Sequence, residues 1–515
     1  MISLLPAIGL LAGHAAAQSV PPPTETVVLT AAAPYSASGE LFILKADTNT
    51  VGLCNPVLVV EGFDLDNSMG WDALYTLLNQ ELLAEDIQAF GRDLLVLNFT
   101  DSTVDIFDNA ALNETAIEYI NAHRADPADK FTCVGASLGG LTLRIALIDM
   151  PAHDVDTWIS FDVPHEGANI PLALQEYLEF FASYDDAAAE LLTILDRPAA
   201  RQQLLAHHSH PNGLAGGSVP ERADFQAAMD AMGYPTNCKT IAISNGSGFG
   251  EKYPFTPGDH IIHWTGSSGF TAYTADIYAL PEAPSTAFSG TIRLFGIPIA
   301  STTVNSYHPL SFDNAPGGGR GTFFQLYTNI PPEQISGDDY CTQTNHCFIP
   351  TVSALGIPID NIASNLAGNA ALTALSPFDE IHYAINNEAH VEINARNKRW
   401  IVRALLEGID TDGDGLDDYG EYLAGTDYSS ADSTLTTVIG IAAQPTNGTV
   451  AIAWDRFPNT QYEVWYTESL TNTWLLLETI PPSTDPAALR EYIPDPESPA
   501  GFFLISADVV DPVTD

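Results

Sequence analysis

Basic residues are scarce in this chain. Its 515 residues include 18 Lys and Arg against 65 Asp and Glu, which gives a formal net charge of -47 at pH 7. Nucleic-acid affinity comes from clustered Lys and Arg, and an anionic membrane surface repels a chain of this charge. The composition therefore excludes a nucleic-acid partner and predicts an acidic, well-solvated surface.

Long apolar runs are also rare, and after the first residues none is long enough to cross a membrane. The exception is residues 1–17, where an apolar run ends in three alanines. This pattern is typical of a signal peptide with a small-residue cleavage site, although no Lys or Arg precedes the run. We expect a secreted or cell-surface protein.

The chain has few cysteines, and an odd number of them. Five leave one unpaired in an exported protein. Cys341 and Cys347 are close enough in sequence to close a small loop, so we expect a disulfide between them. Cys133 lies in an apolar run and is predicted to be a packed thiol. The pairing of Cys54 and Cys238 stays open.

What the chain does have is a regular alternation over residues 55–159. Short, fully apolar runs at 57–61, 94–99, 131–134 and 157–161 are separated by segments with helical spacing. Such runs are typical of parallel strands that are buried on both faces. The alternation predicts the α/β class, with a doubly wound, mostly parallel sheet.

A tight-turn motif, Gly135-Ala-Ser137-Leu-Gly139, joins one of these runs to a helical segment. Glycines at these two positions allow a strained turn that holds the serine hydroxyl at the carboxyl end of the sheet. Ser137 is therefore the candidate nucleophile. The amide of Leu138 lies at a helix N-terminus and is a candidate oxyanion donor. Gly62 lets backbone approach the substrate, so the Phe63 amide is the second candidate.

A nucleophilic serine needs a base, and with this motif the chain order is serine, acid, histidine. Among thirteen histidines, His390 precedes the predicted last helix of the domain and is the candidate base. His382 is its near rival, and His165 could line the pocket. Asp379 stands in the right order to hold the imidazole. The other candidate acids, any of which could equally be a turn residue, are Asp162, Asp313, Asp338 and Asp339.

Together these segments resemble secreted bacterial lipases and esterases of the α/β-hydrolase superfamily over about residues 55–406. The resemblance rests on Val-Val-Glu-Gly-Phe-Asp64, Gly-Ala-Ser-Leu-Gly-Gly140, Ser160-Phe-Asp-Val-Pro-His-Glu-Gly167, Phe348-Ile-Pro-Thr-Val-Ser-Ala-Leu355 and Asn387-Glu-Ala-His390. Those lipases often carry an Asp-Gly-x-Val-Pro acid loop, whereas this chain reads His346-Cys-Phe-Ile-Pro350. The usual aspartate is missing, so the acid must come from elsewhere. The resemblance implies an α/β-hydrolase fold and ester hydrolysis.

An acidic loop follows the predicted catalytic domain. Its carboxylates occupy positions 1, 3, 5, 9 and 12 with Gly at position 6, the spacing of a Ca²⁺ loop. The predicted ligands are Asp410, Asp412, Asp414, Leu416, Asp418 and Glu421. Position 8 is Asp417 rather than an apolar residue, so the loop is similar to the calcium repeats of thrombospondin type 3. We expect a structural Ca²⁺ there and no cofactor for catalysis.

Composition predicts the remaining organisation. The Ala/Leu-rich stretch resembles a lid, and the last segment resembles a fibronectin type III module. The predicted segments are a signal peptide (1–17), a linker or sheet edge (18–54), a catalytic domain (55–408) with a helical lid (171–237) and a β-rich insertion (255–347), a calcium loop and linker (409–430), and a small all-β sandwich (431–515).

The sequence thus predicts a secreted serine hydrolase, a lipase or carboxylesterase, that forms an acyl-enzyme on Ser137. The apolar helical stretch favours a lipid-like ester substrate. One alternative is a polyester depolymerase of the polyhydroxyalkanoate type, anchored by its C-terminal module. Another is a non-catalytic surface or adhesion protein on a hydrolase scaffold. Trp454, Trp465 and Trp474 could bind a surface or polymer, although burial is the commoner fate of such residues.

Overall fold

The computed structural model describes residues 20–515 except 65–67, 211–218, 331–337, 432, 434–439, 445–448, 468–474, 484–486, 493–501 and 510–515. The predicted signal peptide and Trp474 lie outside these residues. The chain divides into two compact units, Met1–Asn397 and Lys398–Asp515, so the division precedes the boundary expected near Gly408. Within the described residues, no helix combines the length and apolar character that a membrane crossing needs.

The first unit contains fifteen labelled strands among its described residues. They are β1 (Glu25–Thr30), β2 (Ser38–Leu44), β3 (Val57–Val60), β4 (Leu94–Phe99), β5 (Phe131–Ala136), β6 (Val155–Phe161), β7 (Lys239–Ser247), β8 (His260–Ser268), β9 (Thr271–Tyr278), β10 (Ser285–Leu294), β11 (Ile297–Ser306), β12 (Gly317–Arg320), β13 (Tyr340–Cys341), β14 (His346–Pro350) and β15 (Glu380–Ala384).

Helices alternate with these strands. They are α1 (Trp71–Leu78), α2 (Leu83–Ala89), α3 (Ile106–His123), α4 (Leu138–Asp149), α5 (Leu172–Phe181), α6 (Asp186–Leu195), α7 (Pro198–Gln203), α8 (Pro220–Met232), α9 (Thr322–Asn329), α10 (Thr351–Ala354), α11 (Ala370–Thr373) and α12 (Ala395–Leu406), the last of which spans the division between the units. Short 3₁₀ turns lie at Gln80–Leu82 and Ile359–Asn361.

A central eight-stranded sheet organises the first unit, in the order β1-β2-β4-β3-β5-β6-β7-β15. The first three strands pair antiparallel, and from β4 onward every neighbouring pair is parallel. Every residue of β3 and β4 is buried, as their uninterrupted apolar runs predict. The predicted mixed, mostly parallel α/β sheet is therefore confirmed.

Parallel strands direct their carboxyl ends to one edge of this sheet. The segments that leave β3, β5 and β6 therefore emerge side by side, and the register pairs Val60 with Gly135 and Ala136 with Phe161. In open α/β sheets such an edge is where ligands bind. The candidate site lies there.

Two further regions complete the first unit. The helices α5 to α8 follow β6, where the sequence predicts helix. A five-stranded antiparallel sheet in the order β11-β10-β9-β8-β13 occupies the stretch that was expected to be β-rich. The assignment of these regions as lid and insertion stays a prediction.

The predicted disulfide is wrong, because all five cysteines are free. Cys341 lies in β13, which pairs with β8, whereas Cys347 lies in β14, which pairs with β12. The two thiols donate to different carbonyls, Gln343 O and Pro316 O. Cys133 is fully buried in the sheet, as expected of a packed thiol.

The second unit contains α13 (Asp418–Ala424) and six labelled strands among its described residues. These are β16 (Gly440–Gln444), β17 (Thr449–Asp455), β18 (Thr460–Thr467), β19 (Leu475–Ile480), β20 (Ala487–Tyr492) and β21 (Phe502–Val509). They form two three-stranded antiparallel sheets, β16-β17-β20 and β19-β18-β21. Trp454 is buried against Tyr462, which places this tryptophan in a core. The fibronectin type III assignment stays a prediction.

Candidate active site

Ser137 stands alone between β5, which ends at Ala136, and α4, which begins at Leu138. Its backbone has φ 51° and ψ −122°, a strained conformation for a residue with a side chain. Two glycines make the turn possible. A Cβ at Gly135 would lie 2.4 Å from the Gly140 Cα, and one at Gly139 would lie 2.3 Å from the Glu61 carbonyl oxygen.

His390 reaches the serine from the loop after β15. Its Nε2 lies 2.9 Å from the Ser137 Oγ. The His390 amide donates to Gly319 O at 2.9 Å, which ties this loop to β12. Both side chains are buried, and residues distant in sequence thus form one hydrogen-bonded pair.

Asp162 completes the arrangement on the other side of the imidazole. Its Oδ2 lies 2.7 Å from the His390 Nδ1. Asp162 follows β6 directly, has φ 51°, and is fully buried. The Asn245 amide donates to its Oδ1 at 3.2 Å, and a Cβ at Gly318 would lie 2.1 Å from its Oδ2. The carboxylate therefore has a fixed position that only a glycine neighbour permits.

The structure corrects the prediction for Asp379. That carboxylate accepts hydrogen bonds from the Thr240 amide at 2.8 Å and the Thr240 hydroxyl at 3.0 Å. Asp379 immediately precedes β15, at the amino end of a parallel strand, whereas Ser137 and Asp162 follow the carboxyl ends of theirs. A strand of five residues spans about 17 Å, so Asp379 lies at the opposite edge of the sheet from the imidazole.

The other candidates make contacts of their own. Asp313 accepts from the Asn169 side chain and the Leu280 amide, and Asp339 accepts from Thr265. The rival His382 contacts Glu380 at 2.9 Å, and the buried His165 contacts the Ser160 hydroxyl at 2.8 Å. None of these contacts involves Ser137 or His390.

The predicted oxyanion segment passes directly beside the serine. A Cβ at Gly62 would lie 3.1 Å from the Ser137 Cβ, so the backbone that leads into Phe63 runs against the turn. Leu138 is the first residue of α4, and the first amides of a helix have no intrahelical acceptor. The Phe63 amide therefore belongs to the segment that adjoins the Ser137 side chain, and the Leu138 amide directly follows Ser137 in the chain.

Burial sets the protonation of the site. It lowers the pKa of the His390 imidazole, as does the Arg320 guanidinium, while the hydrogen bond that the imidazole donates to Asp162 opposes this shift. Arg320 stacks 4.6 Å from the Phe348 ring, and that ring packs edge-on against His390. The imidazole is consequently neutral at pH 7 and can accept a proton.

The predicted metal loop brings three of its carboxylates together. Ligand oxygens of Asp410, Asp412 and Asp414 lie within 4.8 Å of one another. The amides of Gly413 and Gly415 donate to the two oxygens of Asp410, at 2.8 and 3.2 Å. This hydrogen bonding folds the loop around its own carboxylates.

Glu421 is the residue of this loop that indicates a missing partner. It is fully buried, and one oxygen accepts from Thr426, while Oε2 has no hydrogen-bond partner in the described part of the chain. Burial raises its pKa, and the carboxylates of Asp412, Asp414 and Asp418 raise it further. An uncompensated buried carboxylate beside further acids fits a bound cation.

Another predicted ligand, Asp418, is placed differently. Both oxygens of Asp418 accept from Thr411, from its amide at 2.8 Å and its hydroxyl at 2.7 Å. The Leu416 amide donates to the Asp414 Oδ1 at 2.9 Å. Asp418 thus orders the loop through Thr411 and does not join the group that Asp410, Asp412 and Asp414 form.

Comparison with known proteins gives only distant likenesses. No family model and no curated protein matches this chain. Among solved structures, Est1E from Butyrivibrio proteoclasticus aligns over 27% of this chain and 50% of its own, at 14% identity and a TM-score of 0.20. Aspergillus fumigatus lipase B aligns over 42% and 40%, at 18% identity and a TM-score of 0.25.

A Pyrobaculum calidifontis esterase aligns over 43% of this chain and 65% of its own, at 10% identity and a TM-score of 0.27. In each case this chain spans less than two thirds of the matched structure. The chemistry must therefore be argued from this chain's own residues.

Proposed function

We propose that this chain is a serine hydrolase that cleaves carboxylic esters through an acyl-enzyme on Ser137. The observation that carries the proposal is the continuous hydrogen-bonded series of Ser137, His390 and Asp162, with contacts of 2.9 and 2.7 Å. A nucleophile, a base and an acid that orients the base are the requirements of acyl transfer. Their chain order, serine, acid and histidine, is that of the α/β-hydrolase motif.

In the proposed mechanism, the Ser137 Oγ attacks the ester carbonyl carbon while the His390 Nε2 takes the hydroxyl proton. Asp162 accepts the hydrogen bond from Nδ1, which fixes the tautomer, and stabilises the imidazolium that forms. His390 then gives its proton to the leaving alcohol. Water, activated by the same imidazole, releases the acid and restores the serine.

The negative oxygen of the tetrahedral intermediate needs donors in place before the reaction. We assign the amides of Leu138 and Phe63 to this role, because one opens a helix and the other follows the segment that abuts the serine. The helix N-terminus adds a partial positive charge at the same place.

An apolar acyl group fits the surroundings of this segment. Phe63 packs against two apolar clusters, one that contains Leu138 and Val163 and another that contains Leu195 and Leu204. Polar ester substrates would gain little from these contacts, whereas each buried methylene contributes about 0.8 kcal/mol. The proposed substrate is accordingly a lipid-like ester.

The deciding experiment is hydrolysis of p-nitrophenyl esters of increasing chain length by wild type and Ser137→Ala. We expect kcat to fall by at least about 10⁴-fold, since removal of a triad serine leaves only binding and oxyanion stabilisation. Ser267→Ala changes an exposed serine of β8 and is the matched control. Undiminished turnover by Ser137→Ala would remove this serine from the mechanism. Absence of turnover in wild type, with no labelling of Ser137 by a fluorophosphonate, would favour the non-catalytic scaffold. Preference for polymer film over emulsified triglyceride would favour the polyester depolymerase.

We further propose that the loop at 410–421 binds Ca²⁺ in a structural role. Asp410, Asp412, Asp414 and Glu421 supply the carboxylate oxygens that this hard cation prefers, with the Leu416 carbonyl as the predicted backbone ligand. The unpartnered Oε2 of Glu421 supports this assignment. Secretion, and binding of surfaces by the second unit, remain predictions from the sequence.

A further inference from the structure

A second group of metal-ligating side chains lies among the helices that follow β6. Asp196 caps the C-terminus of α6, and His207 and His208 follow α7. The His208 Nε2 lies 3.1 Å from the Asp196 Oδ1, and the His207 Nε2 lies 3.7 Å from the same oxygen. Ligands around a tetrahedral Zn²⁺ lie about 3.3 Å apart, so these two separations are close to those of a zinc site, and the three ligand atoms lie within 4.8 Å of one another.

The remaining ring nitrogens are held as they are in metal sites. The His208 Nδ1 lies 3.3 Å from the Glu179 Oε2, and the His207 Nδ1 lies 2.9 Å from the Ser209 Oγ. Metal-bound histidines usually use their second nitrogen in this way, which fixes the tautomer and the ring orientation. Both Nε2 atoms are therefore directed to the same place, beside Asp196.

The backbone around the two histidines is fixed as well. The Gln175 side chain accepts from the His208 amide at 3.0 Å and donates to Ala206 O at 3.0 Å. His207 is fully buried and His208 nearly so, while 45% of the Asp196 side chain is exposed. The two imidazoles are thus held in place by buried contacts. The Asp196 carboxylate is partly exposed, so an ion can enter from solvent on that side.

The local charge favours a cation. The guanidinium of Arg201 lies 3.4 Å from Asp196 and 3.0 Å from Glu221. Both ring nitrogens of His208 face carboxylates, Nδ1 that of Glu179 and Nε2 that of Asp196. Three carboxylates thus lie on or near the proposed ligand group.

The His207 ring has hydrogen-bond partners that an ion would partly replace. Its Nε2 donates to Leu195 O at 3.0 Å, and its Nδ1 accepts from the Ser209 amide at 3.3 Å. A zinc ion at Nε2 would replace the bond to Leu195 O, with the ring proton then on Nδ1, which faces the Ser209 Oγ at 2.9 Å. Two imidazoles with one carboxylate suit Zn²⁺, whereas Ca²⁺ takes oxygen ligands alone.

We propose that Asp196, His207 and His208 bind one Zn²⁺ ion. The ion would link the end of α6 to the segment after α7, with Glu179 of α5 supporting His208 from behind. Leu195 and Leu204, which adjoin these ligands in sequence, pack together with Phe63. Bound zinc would therefore stabilise the apolar wall beside the proposed oxyanion segment, a role independent of the ester chemistry.

The test is titration of the full chain with ZnCl₂ by calorimetry, after removal of zinc by pyridine-2,6-dicarboxylate and in millimolar CaCl₂ so that the calcium loop is occupied. We expect one equivalent with Kd at or below about 1 μM. Asp196→Asn and His208→Gln should each weaken binding at least tenfold. Co²⁺ in place of Zn²⁺ should give the visible absorption of a tetrahedral site with nitrogen ligands in wild type and not in the variants.

A matched control comes from a second cluster of similar composition, His260, His263 and Asp276, whose two histidines are half-buried, whereas His207 and His208 are buried. Asp276→Asn should leave zinc binding unchanged. The proposal is overturned if wild type takes up no zinc, if Asp196→Asn and His208→Gln bind as wild type does, or if Asp276→Asn alone abolishes binding. Near-ultraviolet circular dichroism of the zinc-free variants checks that each is folded.

Discussion

Asp162 and Glu421 are both buried carboxylates, but they differ in what surrounds them. Both oxygens of Asp162 have partners within the protein, from His390 and from Asn245. Glu421 has Thr426 on one oxygen and nothing on the other, among the described residues. Isolating a charge from water costs several kcal/mol unless the protein or an ion replaces the lost hydration.

This difference in hydrogen-bond partners suits the two carboxylates to different roles. At Asp162 the protein itself supplies a hydrogen-bond partner to each oxygen, which suits the proposed role of orienting a base. At Glu421 a partner for the second oxygen must come from outside, which suits the proposed cation. The same residue chemistry thus fits the proposed catalysis in the first unit and the proposed ion binding in the second.

The largest expected effect is at Asp162. Asp162→Asn should lower kcat for p-nitrophenyl esters by about 10⁴-fold, because an amide in this position favours the wrong imidazole tautomer. Asp379→Asn is the matched control and should keep kcat within about threefold of wild type, since Asp379 only holds Thr240. If Asp379→Asn were the variant that lost activity, the assignment of the acid would be reversed.

A smaller effect concerns pH. The proposed reaction needs neutral His390, and burial lowers the pKa of this group below its usual 6.5. The acidic limb of kcat/KM should therefore have its midpoint below pH 6.5, with activity falling about tenfold per unit below that midpoint. Stopped assays from pH 4 to pH 9 measure the limb. A midpoint above 6.5 would mean that Asp162 dominates over burial.

The three residues of the candidate active site differ in how well the sequence alone predicts them. The turn at Ser137 is local, because strand, glycines and helix are contiguous, and His390 could be placed by its position before the last helix. Asp162 could not be singled out, since its role depends on strand register. The usable signal was its place directly after the apolar run 157–161, which puts it at the same sheet edge as Ser137.

Order along the chain favours Asp379, but order alone is a poor guide to which residues meet in a parallel sheet. The strand β15 lies between the two residues and carries them to opposite edges. The calcium loop is the opposite case, because every predicted ligand lies within twelve consecutive positions. Even there, the sequence does not distinguish Glu421 from Asp418 as a ligand. The structure does, because one Glu421 oxygen has no partner among the described residues, whereas both Asp418 oxygens accept from Thr411.

The role of Glu421 can be tested by the stability difference between wild type and Glu421→Gln, which should change sign when Ca²⁺ is removed. With Ca²⁺ at about 100 times Kd, wild type should gain about 2.7 kcal/mol of stability, and Glu421→Gln should gain less because it lacks one ligand charge. In EDTA the order should reverse, since the amide removes an uncompensated buried charge. Calorimetric unfolding, read at the calcium-dependent transition, measures both. Glu478→Gln, elsewhere in the same unit, is the control and should shift neither condition.

The last prediction concerns Glu61, a third buried carboxylate. One oxygen accepts from the Phe99 amide, Oε2 has no partner among the described residues, and burial raises its pKa well above 4.5. The folded state therefore holds this proton more tightly than the unfolded state, so stability contributed here is present below pH 4.5 and is lost as pH rises toward the folded pKa.

Glu61→Gln keeps the acceptor for the Phe99 amide and cannot ionise. The variant should match wild type near pH 4.5 and become the more stable of the two as pH rises, by about 1.4 kcal/mol for each pH unit up to the folded pKa. Urea unfolding from pH 4.5 to pH 9 measures the difference, with the exposed Glu118→Gln as control. A difference that does not grow with pH would show that Glu61, like Asp162, is compensated as a charge inside the fold.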